Sequence, residues 1–221
     1  MLSSRLLLNA CRAVVSAGCK KPPAPTTRTQ TVGLWMNGER RGEERVVFTI
    51  EEGRTTLRTE TDLNGPSSVV RLEGQLVLER GRATTLRVTG EAPASLAALA
   101  DVTTTPDRTD TFPIRGPLPV HVLAALARQS MSASRRRFLA LPDGEVTLGP
   151  CPAPEAPFTD ATCHRVTGLP SGAALVWIDR RGQLAAAVAR TPWGPLLATP
   201  ADRDGSHPAL LKQFDVYSAP D

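Results

Sequence analysis

Between Thr31 and Glu91 apolar side chains recur at every second position, the period of a strand with one dry face and one wet face. The clearest run is Val70 to Glu79. Val70, Leu72, Gly74, Leu76 and Leu78 share one side, and Arg71, Glu73, Gln75, Val77 and Glu79 share the other. Arg45 to Ile50 repeats the pattern with Val46, Phe48 and Ile50 inward, and Thr55 to Asp62 and Thr84 to Glu91 follow, the last placing Leu86 with Val88. Asn37-Gly38, Glu52-Gly53, Asn64-Gly65-Pro66 and Gly81 supply turns between these runs. Strands at this spacing make an antiparallel meander. No strand–helix–strand alternation is evident, so a parallel sheet is not expected.

Leu118 to Ser130 changes to a helical pattern rich in Leu, Val and Ala, with proline near its start. His121 and Arg128, seven apart, share one face as a narrow polar stripe, expected to look towards solvent. A rod this apolar belongs against the concave side of the sheet. Strand patterns return at Glu145 to Leu148, Cys163 to Gly168, Ala173 to Asp179 and Leu184 to Arg190, with Asp179-Arg180-Arg181-Gly182 as a hairpin turn. A final strand begins near Trp193, and the tail from Pro200 reads as polar and poorly packed. The fold class is therefore mainly β: an antiparallel curved sheet, half-barrel or open barrel, with one packed helix.

The first residues speak to location. Arg5 precedes a short apolar stretch, Leu6 to Gly18, and Ser16-Ala17-Gly18 places small side chains before Cys19. This resembles the lipobox of bacterial lipoproteins, which implies lipidation of Cys19 as the first mature residue. The stretch is shorter than the about 20 residues a membrane span needs, so residues 1–19 read as a signal peptide. Residues 20–30, with Pro22-Pro23-Ala24-Pro25 and several Thr and Gln, read as an extended tether. A single β-rich domain covers 31–200, and 201–221 forms the polar tail. The expected site is the cell envelope, facing the periplasm or the surface, with the outer membrane favoured because Lys20 follows Cys19.

Removing the leader and lipidating Cys19 leaves Cys151 and Cys163, on either side of a Pro-rich loop with strand-like flanks. A disulfide across that hairpin suits an oxidising compartment. The other use of these cysteines, a metal site with His164, lacks the closely spaced ligand pairs usual for metals. No metal or other cofactor is expected. The net charge of +4 is mild, arginine outnumbers lysine 23 to 3, and aromatic residues make up 4%. A nucleic-acid surface would interleave basic and stacking aromatic residues, so no nucleic-acid partner is expected.

Three segments carry a resemblance to the β domain that precedes the catalytic domain in some secreted amidohydrolase-family proteins. They are Asn37-Gly38-Glu39-Arg40-Arg41-Gly42-Glu43-Glu44, then Phe112-Pro113-Ile114-Arg115-Gly116 with Pro119-Val120, and Val166-Thr167-Gly168-Leu169 with Val176-Trp177-Ile178-Asp179-Arg180-Arg181-Gly182-Gln183-Leu184. The layout is also similar to the half-barrels of LolA-like periplasmic lipoprotein carriers. The resemblance implies a stand-alone domain without the amidohydrolase barrel. Metal ligation in that family uses a His-x-His pair, and His121, His164 and His207 stand far apart, so no catalytic or metal-binding residue carries over.

The remaining chemistry is sparse. His164 shares a face with Val166, as a core or edge histidine does. Asp202, Asp204, Ser206 and His207 fall in the tail, without a rigid frame for catalysis, and Arg135-Arg136-Arg137 reads as a solvated turn, with contact to anionic headgroups as the alternative. No acid, base and nucleophile constellation emerges, so no enzymatic role is expected. Two uses remain. One is a module binding a lipid or other hydrophobic ligand in a groove lined by Val46, Phe48, Leu72, Leu76, Leu78, Leu86, Val122 and Leu126. The other is an accessory domain for a separately encoded envelope enzyme such as an amidohydrolase. An open apolar cavity would favour the first and a filled core the second.

Overall fold

The computed structural model describes residues 24–94, 96, 102–104, 110–141, 144–151, 160–203, 210–211 and 214–215. Its frame is a meander of five long strands, β1 (Thr26–Met36), β2 (Glu39–Glu51), β3 (Arg54–Asn64), β4 (Val69–Glu79) and β5 (Arg82–Glu91). After two short strands, β6 (Val102–Thr104) and β7 (Thr111–Pro113), comes the helix α1 (Val120–Ala133). A second meander follows: β8 (Arg137–Leu141), β9 (Glu145–Pro150), β10 (Ala161–Leu169), β11 (Gly172–Asp179), β12 (Leu184–Thr191) and β13 (Gly194–Pro200).

Strand β1 joins the two meanders by pairing with β13, Val32 opposite Pro200 and Trp35 opposite Leu197. The result is one sheet ordered β6-β5-β4-β3-β2-β1-β13-β12-β11-β10-β9-β8-β7. It curls until β5 lies against β7, an almost closed barrel. The turns at Glu52-Gly53, Arg80-Gly81 and Arg180–Gly182 lie at one end, here the lower. Those at Asn37-Gly38, Gly65–Ser67 and Thr191–Gly194 lie at the upper end. There the Trp193 ring packs so closely over Gly65 that a methyl group at that glycine would collide with it.

The alternation that predicted β2 to β5 follows the pleat. In β3, Leu57, Thr59, Thr61 and Leu63 are buried while Arg58, Glu60 and Asp62 are exposed. The inward side chains of both meanders and the helix form one continuous apolar core, including Val46, Leu72, Leu86, Leu126, Val146 and Val176. Strands β11 to β13 are buried on both faces. Their outward Leu175, Trp177, Val188 and Leu197 form a second cluster, covered by Leu210 and Phe214.

Four expectations need correction. Thr26 to Gln30 were assigned to the tether but belong to β1, paired with Ile50 to Val46. Threonine favours strands, and the free edge of β2 gives these residues backbone partners. The helix runs from Val120 to Ala133 instead of Leu118 to Ser130, because Pro119 occupies its N-cap and Ser134 ends it in a left-handed conformation. One parallel pairing exists, β7 with β8 across α1, a strand–helix–strand unit that three residues around Pro113 are too few to announce. The tail is not poorly packed throughout, since Leu210 and Phe214 are fully buried.

Candidate functional site

The polar centre of the molecule lies beneath the start of the helix. Pro119 provides no side-chain cap and the first turn contains no acidic residue, so the first amides of α1 need an acceptor from elsewhere. Glu44 of β2 supplies it. Its Oε2 accepts the Val120 N–H at 2.8 Å and the Thr61 hydroxyl at 2.9 Å. Its Oε1 accepts the His121 backbone N–H at 2.9 Å and lies 2.7 Å from His121 Nδ1. Glu44 is fully buried and His121 is 1% exposed. A carboxylate at a helix N-terminus is favoured by both the free amides and the helix dipole.

The His121 ring meets Phe48 edge-on at 6.1 Å between centroids, and its Nε2 is buried without a hydrogen-bond partner. Buried in this way, the Glu44–His121 pair anchors the start of the helix. The predicted polar stripe is thus real, but it faces inward. Arg128 lies on the same side, its guanidinium 5.4 Å from the Phe48 centroid and its Nη1 donating to Gly182 O at 3.0 Å. One residue later, Gln129 Oε1 accepts the Ala83 N–H of β5 at 3.0 Å. Contacts to β2, to the β11–β12 turn and to β5 therefore pin both ends of α1 across the barrel.

Phe48 connects the two ends of the stripe. Arg28 of β1, directly opposite Phe48 in the β1–β2 register, places its guanidinium 4.5 Å from the same ring centroid. Burial, and then the charge of Arg28, push Arg128 down to about 10, while Asp179 acts in the opposite sense. The Asp179 carboxylate is itself engaged, its Oδ1 accepting the amides of Arg181 and Gln183.

The eight residues expected to line a groove do come together, but inside a packed interior. Val46, Phe48, Leu72, Leu76, Leu86, Val122 and Leu126 are each at most 4% exposed, and Leu78 packs against them from the edge. A hollow of about 590 Å³ on the outer face is lined by charged side chains that include Glu43, Arg45, Glu60, Asp62, Arg71 and Glu73. Cys151 and Cys163 form the disulfide joining the end of β9 to β10, with Cα atoms 5.5 Å apart. Cys19 lies outside the described residues, as do Asp204, Ser206 and His207; Asp202 is exposed.

His164 is half-buried on β10 and borders a hollow of about 310 Å³ beside Met131, Arg136 and Cys163. Burial holds its pKa below the ordinary histidine value. Arg136 and Arg137 are exposed, Arg137 within 3.6 Å of Glu145, and Arg135 is half-buried. Among the described residues no three His, Cys, Asp or Glu side chains are grouped to hold a metal ion.

Sequence reasoning missed Glu44 as a site residue, although the signal was present. It continues the inward parity of Val46 and Phe48, so a charge was already assigned to a dry face, where it requires partners; Ile50, expected inward as well, is exposed at the end of β2. Arg28 shares that inward side through its register with Phe48. Comparison with protein-family models, curated proteins and solved structures gives no match for this chain.

Proposed function

We propose that this chain is a non-enzymatic accessory module of the bacterial cell envelope, held by a lipid on Cys19, that engages a separate envelope protein through the outside of its sheet. The observation carrying this reading is the interior: α1 fills the concave side of the barrel and is fixed at both ends by hydrogen bonds to Glu44, Gly182 and Ala83. Among the described residues, an apolar ligand would have to share the concave side with that helix. The outer face of β2 to β5 instead presents charges of both signs around a shallow hollow, a surface suited to a complementary protein partner. The disulfide supports an oxidising compartment.

Photo-crosslinking in native envelopes from residues such as Arg71 and Glu73 tests the reading. Recovery of one recurrent envelope protein, lost on charge reversal at those positions, is expected. Stoichiometric uptake of a fluorescent fatty acid by the purified chain, with no recurrent crosslink, would replace this reading with that of a ligand carrier. Metabolic labelling with a palmitate analogue, abolished by Cys19→Ala, checks the anchor.

A further inference from the structure

The lower end of the barrel carries an imbalance of charge that the fold alone does not explain. Arg28 enters from β1 and Arg128 from the helix, and both guanidiniums lie against the one Phe48 ring. Neither has a carboxylate within salt-bridge distance among the described residues. Arg128 has one hydrogen bond, to a neutral carbonyl, and Arg28 Nε is buried with no partner at all. Beside them Gln30 uses its amide nitrogen on Leu184 O at 2.7 Å. Asp179 is the nearby acid, but its Oδ1 is occupied by its own turn. Arg28 and Arg128 are two neighbouring, partly buried cations that repel each other, and Arg28 Nε is an unused donor; a bound anion would relieve both costs.

We propose that Arg28 and Arg128 form a binding site for a phosphate-type oxyanion, either free or carried by a lipid headgroup. Guanidinium groups match phosphate in geometry as well as charge, and their donors bind its oxygens with charge-assisted hydrogen bonds. The Phe48 ring holds both side chains in place through its face, so little ordering is left to be done on binding. Depression of the Arg128 pKa fits this arrangement, because the site destabilises its own positive charge until an anion arrives. The inference goes beyond the accessory role and does not depend on it. Residues preceding Thr26 lead into β1 two positions from Arg28, so a chain tethered ahead of that strand would bring this end of the barrel towards the headgroups.

The test uses the full chain and inorganic phosphate, titrated by calorimetry and by thermal shift at constant ionic strength against chloride. Saturable binding with a rise in Tm is expected, weakened about tenfold or more in Arg28→Gln and retained in Arg28→Lys. Arg128→Gln gives a second reading should Arg28→Gln fail to fold, as judged by circular dichroism. A response to phosphate no greater than that to chloride, or equal in the wild type and a folded Gln variant, overturns the proposal. Flotation with phosphatidylglycerol and phosphatidylcholine vesicles separates the sources. Arg28-dependent vesicle binding assigns a headgroup phosphate, and phosphate binding without it assigns the free anion.

Discussion

Glu44 and His121 stand 77 residues apart in the chain, yet one carboxylate oxygen takes both the backbone amide of the histidine and contact from its ring nitrogen. The other oxygen serves Val120 and Thr61. A single inward-pointing acid on β2 thus does for α1 what a local Ser, Thr or Asp does for an ordinary helix. Because the cap is remote, it also fixes where the helix sits in the barrel.

Glu44→Ala removes the partner of four buried groups: the Val120 and His121 amides, the Thr61 hydroxyl and the His121 ring nitrogen. Its expected cost is about 3–5 kcal/mol in urea denaturation, at the scale of breaking a buried charged network. Glu44→Gln keeps the shape and one carbonyl acceptor and should lose less. Equal stability of Glu44→Ala and wild type would show that the helix is held by packing alone.

Gly74 of β4 lies under the entry to the helix. A methyl group there would press on Thr59 Oγ1 and come within 3.2 Å of Pro119 Cγ. Gly74→Ala should destabilise by about 1–3 kcal/mol through overpacking, despite alanine being the better residue for an unstrained backbone. Paired with Thr59→Ala, the loss should shrink as the crowded hydroxyl is removed. Chemical denaturation of the two variants and their combination measures this coupling.

His164 gives the protein a pH dependence of known sign. Burial lowers its folded-state pKa below the ordinary 6.5. The unfolded chain therefore binds a proton first as the pH falls, and the histidine's contribution, complete above about 6.5, is lost below it. The Tm of the wild type should drop more than that of His164→Gln between pH 7.5 and pH 5. Parallel curves for the two proteins would contradict the assignment.

The bridge between Cys151 and Cys163 closes a short loop. Reduction, or Cys163→Ser with Cys151→Ser, should cost about 3 kcal/mol on loop-entropy grounds. Thermal melts with and without reductant report it directly. Thiol titration of the chain isolated without reductant should find neither cysteine free.

Phe214 is fully buried against the outer cluster around Trp177, and Arg190 lies 5.9 Å over its ring. Phe214→Ala should cost about 3–5 kcal/mol if the segment docks as part of the fold. A dye that reports exposed apolar surface should then bind the variant and not the wild type.

Local periodicity made much of this architecture readable, because strands β2 to β5 have one wet face and the alternation is a direct image of it. Val70 to Leu76 needed no further information, but a bulge between Val77 and Leu78 breaks the alternation there, so that Val77, read as outward, is buried and Leu78 only partly so. Legibility failed where burial came from distant chain. Strands β11 to β13 are covered on both sides, and their outer cover, Leu210 and Phe214, stands four residues apart at helical spacing in a stretch that was read only as polar tail. Thr26 to Gln30 looked like linker because composition does not reveal that a partner edge is waiting. The site followed the same division. His121 and Arg128 were seen to share a face, but which way it turned depended on Glu44 and Phe48, far away in the sequence.

The seam between β1 and β13 has a temporal consequence. One flank of β1 is satisfied as soon as β2 follows it, but the other must wait until residues 194–200 have been made. Throughout synthesis a row of backbone amides and carbonyls near Val32 to Trp35 stays open to any passing extended chain. Such late, long-range closure slows folding and exposes the nascent polypeptide to mispairing. Completion of this barrel therefore waits on the meeting of its first strand with its last.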